Sequence, residues 1–124
     1  MVIDKHLYVG RMPGINVIRT IKNIQKFKLC PGVVLITLPL SGEGLLEVYH
    51  QPELTQTHYK QRSNDIHIVG IASSKIQAYS LVRAIIDDVY TATGGFDCVS
   101  YFYVLQVVKY LWYRTIFMVA GVQT

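Results

Sequence analysis

The sequence predicts a small α/β domain: a mostly parallel sheet of three strands, or four if the C-terminal segment adds one, with helices on its faces. Short β-branched apolar runs at residues 33–38 and 66–71 alternate with segments of helical periodicity at 16–28 and 74–93. Such alternation is typical of sheets built from strand–helix–strand units. With 124 residues the chain is also too short for several independent cores.

The N-terminal third predicts two strands and a helix. Residues 6–9 are expected to form the first strand, which ends at the turn-favouring Gly10. Residues 16–28 have the periodicity of an amphipathic helix with Asn16 as its N-cap. Residues 33–38 form a continuous apolar run, which predicts a strand that is buried on both faces.

The middle of the chain predicts two short helices and a third strand. Residues 45–50 are expected to form the first of these helices. Pro52 suits the first turn of the second helix, over residues 52–61. Residues 66–71 read as the third strand, in which Gly70 permits the close approach of a neighbour.

The strongest helical pattern follows the third strand. Ser73 or Ser74 is expected to cap this helix, and Gly94 is expected to end it. Its apolar positions repeat every three to four residues, at Ala78, Leu81, Val82, Ile85, Ile86 and Val89. We therefore expect one face of this helix to pack on the sheet.

Residues 101–124 are distinguished from the α/β domain, residues 1–100, by their apolar composition. Seventeen of the 22 residues from 101 to 122 are apolar or aromatic. The segment suits a packed or oligomer-forming helix, a strand at 101–108 followed by a short helix, or a membrane contact through residues 101–122. Lys109 and Arg114 weigh against insertion into a bilayer, because a cation at the centre of a spanning helix is costly.

The basic residues are concentrated at the N-terminus. Residues 1–30 hold six cations and one acidic residue, although the whole chain has a net charge of only +4. Arg19, Lys22 and Lys26 are expected to share the outer face of the first helix. This basic surface is interpreted as a solubilising face or as a contact for an anionic partner. Sequence-specific nucleic-acid recognition is not expected, because there is no candidate for base readout.

The sequence carries no motif of a known catalytic site. It has no phosphate-binding loop, nucleophile elbow or C-x-x-C pair. Glu47 and His50 form a single E-x-x-H pair, and with His58 they supply too few ligands for a metal site. We expect no catalytic residue, no metal and no cofactor. Cys30 and Cys98 are expected to be packed, unpaired thiols. The N-terminus does not resemble a secretory signal, which predicts a cytoplasmic protein, with membrane association as the alternative.

Candidate ligand-binding residues follow from the predicted parallel sheet. The loops after parallel strands share one edge of the sheet, which is where open α/β folds bind ligands. Helix N-termini at that edge present unpaired N–H groups to anions. The residues assigned to this hypothesis are Arg11, Ser41, Gly42, Ser73, Ser74 and Lys75. The alternative is that the Gly and Ser residues only form turns and caps.

Several segments resemble small α/β proteins of Firmicute bacteria to which no function is attached. The resemblance lies in residues 31–39, 45–49, 68–72, 89–90 and 93–97, and it extends over about residues 6–102. It implies an α/β fold and supplies no function that could be carried over to this chain. The apolar segment after Phe102 is an addition to this pattern.

The sequence thus predicts a non-enzymatic accessory protein that acts through binding to a protein partner or to itself. The absence of catalytic motifs and the apolar C-terminal segment support this interpretation. One alternative is a ligand-binding or enzymatic domain that uses the strand-end loops for an anionic small molecule. The other is a peripheral or tail-anchored membrane protein.

Overall fold

The structure, a computed structural model, describes residues 1–105 of the chain. Single 3₁₀ turns at Gln51–Thr55 and Ser63–Asp65 link the regular elements. In chain order these elements are β1 (Val2–Val9), α1 (Val17–Gln25), β2 (Val34–Thr37), β3 (Glu47–His50), α2 (Thr57–Lys60), β4 (His67–Ala72), α3 (Lys75–Thr93) and α4, described over residues 98–105.

The four strands form one open mixed sheet in the order β1-β4-β2-β3. β1 pairs parallel to β4, whereas β2 is antiparallel to both β4 and β3. The α/β class is therefore confirmed, but the prediction of a mostly parallel sheet is wrong. α1 has nine residues, a length of about 13 Å, and the chain enters β2 from the edge of the sheet at which β1 ends. β2 consequently runs against its neighbours.

The sheet contains one strand that was not predicted. This strand is β3, which lies in the segment for which the sequence predicted a short helix. β3 pairs antiparallel with β2, and Leu35 faces Tyr49 across the pair. Tyr49 packs on one side of the sheet and Val48 on the other. The predicted second short helix is also different, because Gln51–Thr55 is a 3₁₀ turn and α2 covers only Thr57–Lys60.

The helix ends follow the predicted capping chemistry. Oδ1 of Asn16 accepts the N–H of Arg19 at 3.0 Å, and Oγ of Ser74 accepts the N–H of Gln77 at 3.2 Å. Gly94 ends α3 with φ of 75°, a left-handed conformation that glycine adopts without steric cost. These three predictions are confirmed.

The sheet separates two hydrophobic clusters. Ile24 of α1 and Leu54 belong to the cluster on one side of the sheet, together with Leu35, Ile66, Ile68 and Ile71. The cluster on the other side is formed with α3 and α4 and includes Val34, Ile36, Val69, Ala78, Ile85, Val89 and Phe102. α1 and α3 therefore cover opposite faces of the sheet, and their outer faces point away from each other.

Both cysteines are buried and unpaired, as predicted. Cys30 belongs to the α1 cluster and Cys98 to the α3 cluster. Burial raises the pKa of both thiols, and the nearby Asp97 raises that of Cys98 further. Neither thiol is therefore activated as a nucleophile.

The start of the apolar C-terminal segment is helical. Residues 101–105 continue α4, and Phe102 is completely buried against the sheet. The predictions for the remainder of the segment, including a membrane contact through residues 101–122, fall on residues 106–124, which lie outside the described part. A domain boundary at residue 100 stays a prediction.

Candidate functional site

Two of the three predicted loops meet at one edge of the sheet. β1 and β4 are parallel, so the residues that follow them emerge side by side. Oγ of Ser73 donates a hydrogen bond to the carbonyl oxygen of Arg11 at 3.1 Å. Four of the six candidate residues thus share this edge, namely Arg11, Ser73, Ser74 and Lys75.

The side chain of Gln77 fills the space between these two loops. Its Nε2 donates to the carbonyl oxygen of Arg11 at 2.6 Å, and its Oε1 accepts the N–H of Ser73 at 2.9 Å. A Cβ on Gly10 would lie 2.8 Å from this Oε1, so the absent side chain makes room for the amide. The role of Gln77 could not be predicted from the sequence, because an amide inside a helix has no distinguishing local pattern.

The polar groups of this edge are largely occupied. Ser73 bonds to Arg11 and Gln77, and Ser74 caps α3. The charged side chains of Arg11 and Lys75 remain exposed. The serines thus perform the turn and capping roles that were the alternative reading, and anion binding at this edge stays a prediction.

Ser41 and Gly42 lie at the other end of the sheet. They follow β2, whose carboxyl end points away from those of β1 and β4 because β2 is antiparallel. Their assignment to the same edge as Arg11 is wrong, and the reversed direction of β2 is the reason. The six candidate residues therefore do not form one site.

Glu47 organises the loop that contains Ser41. Its Oε1 accepts the N–H of Leu40 at 2.6 Å and the hydroxyl of Tyr49 at 3.1 Å, and its Oε2 accepts the hydroxyl of Ser41 at 2.9 Å. Burial opposes ionisation of this carboxyl, but the hydrogen bonds outweigh it and lower the pKa of Glu47. Burial and the Glu47 carboxylate raise the pKa of Tyr49. The carboxylate therefore acts as a staple, meaning that its hydrogen bonds hold the loop of Leu40 and Ser41 to β3.

A buried carboxylate lies in β1. Ile3 of β1 pairs with Ile68 of β4, and Tyr8 pairs with Gly70, so four residues of β1 lie opposite a single residue of β4 and form a bulge. Asp4 is the first residue of this bulge. Its Oδ1 accepts the N–H of His6, and Nε2 of His67 donates to its Oδ2, both at 2.7 Å. This pair could not be predicted from the sequence, because no local pattern relates Asp4 to His67.

Tyr8 connects β1 to both helices of the α3 side. Its hydroxyl donates to Oδ2 of Asp88 in α3 at 2.6 Å, and its ring lies edge-on to Phe102 with centroids 6.1 Å apart. Burial, followed by the hydrogen bonds with Asp88 and Tyr101, raises the pKa of Tyr8 far above its ordinary range. The phenol is therefore a neutral donor that secures α3 and α4 to the sheet.

A small cleft of about 230 Å³ lies between the end of α3 and α4. Thr93, Asp97, Ser100 and Val104 contribute to its lining. The Asp97 carboxylate caps α4, where it accepts the N–H and the hydroxyl of Ser100 at 3.1 and 2.8 Å. These hydrogen bonds lower the pKa of Asp97. The acidic group of the cleft is thus engaged within the protein.

No metal-binding group occurs within residues 1–105. No three side chains of His, Cys, Asp or Glu in this part are placed to hold one ion. Glu47, the acid of the E-x-x-H pair, instead contacts its own loop.

Within residues 1–105, two further exposed surfaces lie on opposite sides of the sheet. Arg19, Lys22 and Lys26 are exposed on the outside of α1 and form its basic face. The outer face of α3 carries a seam of residues, defined here as the exposed Ile76, Tyr79, Arg83 and Tyr90 together with the half-buried Ile86. The sequence predicted Ile86 on the face that packs on the sheet, but it lies at the margin between that face and solvent.

Comparisons with known proteins found no matching family model, curated protein or solved structure. The resemblance to Firmicute proteins therefore stays a prediction. Over residues 1–105, none of the helices combines the length and the apolar character needed to cross a bilayer.

Proposed function

We propose that this protein is a non-enzymatic interaction domain that pairs with a second copy of itself through the outer face of α3. One observation carries the proposal: large apolar side chains of this helix point into solvent. Ile76 is 81% exposed, and Tyr79 and Tyr90 are 56% and 55% exposed. Clustered apolar exposure is typical of interaction surfaces.

The spacing of the seam supports helix pairing. Ile76, Tyr79, Arg83, Ile86 and Tyr90 are separated by three, four, three and four residues. This is the a/d pattern of a coiled coil, in which the side chains of one helix insert between those of another. The face that packs on the sheet uses other positions, including Ala78, Ile85 and Val89. The seam is therefore additional to the core of the domain.

The residue types suit an interface more than a solvated surface. Tyrosine and arginine are enriched among the residues that contribute most to protein–protein binding. The ring of Phe96, 51% exposed, stacks on Tyr90 with centroids 5.3 Å apart and extends the patch. A continuous aromatic area therefore adjoins the end of the seam.

Charge complementarity favours an antiparallel second copy. If the two-fold axis passes between residues 84 and 85, Tyr79 faces Tyr90 of the second copy. Arg83 then lies beside Asp87 of the second copy, which pairs the opposite charges at the centre of the seam. A parallel copy would instead place Arg83 opposite Arg83.

The other hypotheses have less support. The polar groups of the β1 and β4 edge are used within the fold, which leaves two exposed cations for an anionic ligand. The tail-anchor hypothesis depends on residues 106–124, outside the described part.

Sedimentation equilibrium of the full chain tests the proposal. The wild type is expected at twice the monomer mass of 14.1 kDa. Tyr79→Glu places a charge in the seam and should give the monomer mass. Ile18→Glu is the matched control, because Ile18 is 70% exposed on the opposite side of the protein. A wild-type monomer at all concentrations, or a dimer that Tyr79→Glu leaves intact, would contradict the proposal.

A further inference from the structure

We propose that the basic face of α1 docks onto the surface of a membrane that contains anionic lipids. This surface is independent of the α3 seam, since α1 covers the opposite face of the sheet. The observation behind it is a charge asymmetry: residues 5–42 contain six cations and no Asp or Glu. The one acid that precedes this stretch, Asp4, is buried and contacts His67.

The cations of α1 form one exposed stripe. With a rotation of 100° per residue, Arg19, Lys22 and Lys26 lie within about 60° of one another. Ile24 points in the opposite direction, into the core. The stripe therefore faces outward along the full length of α1, in a geometry that lets all three cations contact one flat anionic surface.

Two exposed aliphatic side chains adjoin the stripe in the chain, one near each end of α1. Ile18 is 70% exposed near the start of α1, and Leu29 is 67% exposed beyond its end. Cations that attract lipid headgroups and apolar side chains that insert between acyl chains are the two components of interfacial membrane binding. The basic face and the residues that adjoin it in the chain offer both components.

The backbone around Leu29 is held so that its side chain projects. Gln51, itself 2% exposed, donates from Nε2 to the carbonyl oxygen of Lys28 and accepts the N–H of Cys30 at Oε1, both at 2.7 Å. The residues on either side of Leu29 are thus anchored to the interior by one buried amide. The exposure of Leu29 is consequently built into the fold.

The end of α1 is fixed by a Schellman motif with an unusual residue. Phe27 donates to the carbonyl of Ile24 and Lys28 to that of Asn23, both at 3.0 Å. Phe27 adopts φ of +58°, a conformation that is uncommon for a bulky residue. Nζ of Lys60 lies 5.8 Å from the centre of the Phe27 ring. This packing adds a further cation at the same end of the basic face.

A lipid surface fits these residues better than a nucleic acid does. The exposed apolar groups are aliphatic, and the stripe includes neither an aromatic ring for base stacking nor an amide for base readout. Ile18 and Leu29 would contribute nothing to a phosphate backbone, whereas they would add to binding at a bilayer. The experiment therefore includes duplex DNA as a competing partner.

Cosedimentation of the full chain with lipid vesicles tests the proposal. We expect binding to phosphatidylcholine vesicles that contain phosphatidylserine to exceed binding to pure phosphatidylcholine vesicles, and to weaken with added salt. Lys22→Glu should reduce the affinity at least about fivefold, the factor expected for one cation near an anionic surface. Lys75→Glu, a matched reversal at the start of α3, should retain the wild-type affinity.

Leu29→Ser distinguishes binding to a lipid surface from binding to other anions. It should weaken binding to the phosphatidylserine vesicles and leave any binding to duplex DNA unchanged. Equal binding to both vesicle types, equal effects of Lys22→Glu and Lys75→Glu, or vesicle binding that Leu29→Ser leaves unchanged would each overturn the proposal. Tyr79→Glu should bind these vesicles with unchanged affinity per chain, so failure of α3 pairing and failure of membrane docking are distinguishable.

Discussion

Oδ2 of Asp4 lies 2.7 Å from Nε2 of His67, although 63 residues separate them in the chain. The Asp4 side chain has no solvent exposure, while that of His67 keeps 25%. Asp4 also accepts the N–H of His6 and so stabilises the bulge of the edge strand β1. Bulges and inward-pointing charged residues on an edge strand hinder the addition of strands from other chains. The pair thus holds β1 to β4 and protects the edge of the sheet.

Asp4→Ala is expected to destabilise the protein by about 1.5–3 kcal/mol, because it leaves the N–H of His6 and Nε2 of His67 without their shared acceptor. Urea denaturation measures the change. Asp65→Ala is the control, since Asp65 forms an exposed ion pair with Arg62 at 3.5 Å, worth about 0–1 kcal/mol. Equal effects of the two substitutions would show that the buried pair does not stabilise the bulge.

The elements with the longest patterns were predictable. α1 and α3 follow from periodicity and capping residues, and β2 and β4 from continuous apolar runs. β3 was not predictable, because Glu47–His50 has only four residues, and an alternation of polar and apolar side chains over that length cannot be distinguished from one turn of helix. Pairing with β2, a tertiary contact, decides its conformation. The direction of β2 was missed for a similar reason. A strand that is buried on both faces has the same continuous apolar sequence whether its neighbours are parallel or antiparallel.

The positions of the candidate ligand-binding residues were predicted correctly only where the direction of their strands was predicted correctly. Arg11 and Ser73 were brought together because β1 and β4 are parallel, which the sequence suggested. Ser41 was separated from them because β2 is reversed. The basic face of α1 followed from local periodicity alone, and its three residues lie as predicted. Contacts over long sequence separations, such as Asp4 with His67, required the fold.

The Glu47 staple is expected to make stability depend on pH. The hydrogen bonds lower the pKa of this carboxyl in the folded state below its ordinary value of 4.5. The resulting stabilisation is complete above that value, and it is lost as the pH falls through the folded pKa. Glu47→Gln should therefore be less stable than the wild type at pH about 7, with the difference shrinking at pH about 3.

Urea denaturation at the two pH values measures this difference. Ser41→Ala, which removes the hydroxyl that donates to Oε2 of Glu47, should show part of the same pH dependence. A stability difference between Glu47→Gln and the wild type that does not change with pH would contradict the assignment.

The antiparallel register of the α3 seam can be tested by cross-linking. Tyr79 and Tyr90 are expected to face each other across the dimer axis, so the variant Tyr79→Cys/Tyr90→Cys should form an intermolecular disulfide under mild oxidation. Tyr79→Cys alone should not, because its counterpart lies along the other half of the seam. Cys30 and Cys98 are buried and are not expected to react. Non-reducing gel electrophoresis gives the result, and a cross-linked dimer of Tyr79→Cys alone would indicate a parallel arrangement.

Together, the two proposed surfaces predict that the protein clusters anionic vesicles. α1 and α3 cover opposite faces of the sheet, so a dimer formed through α3 presents two basic faces that point away from each other. One dimer then contacts two membranes. Light scattering should rise when the full chain is added to phosphatidylserine-containing vesicles. Tyr79→Glu should bind vesicles without clustering them, and Lys22→Glu should do neither efficiently. Clustering by Tyr79→Glu equal to that of the wild type would separate clustering from α3 pairing and contradict this arrangement.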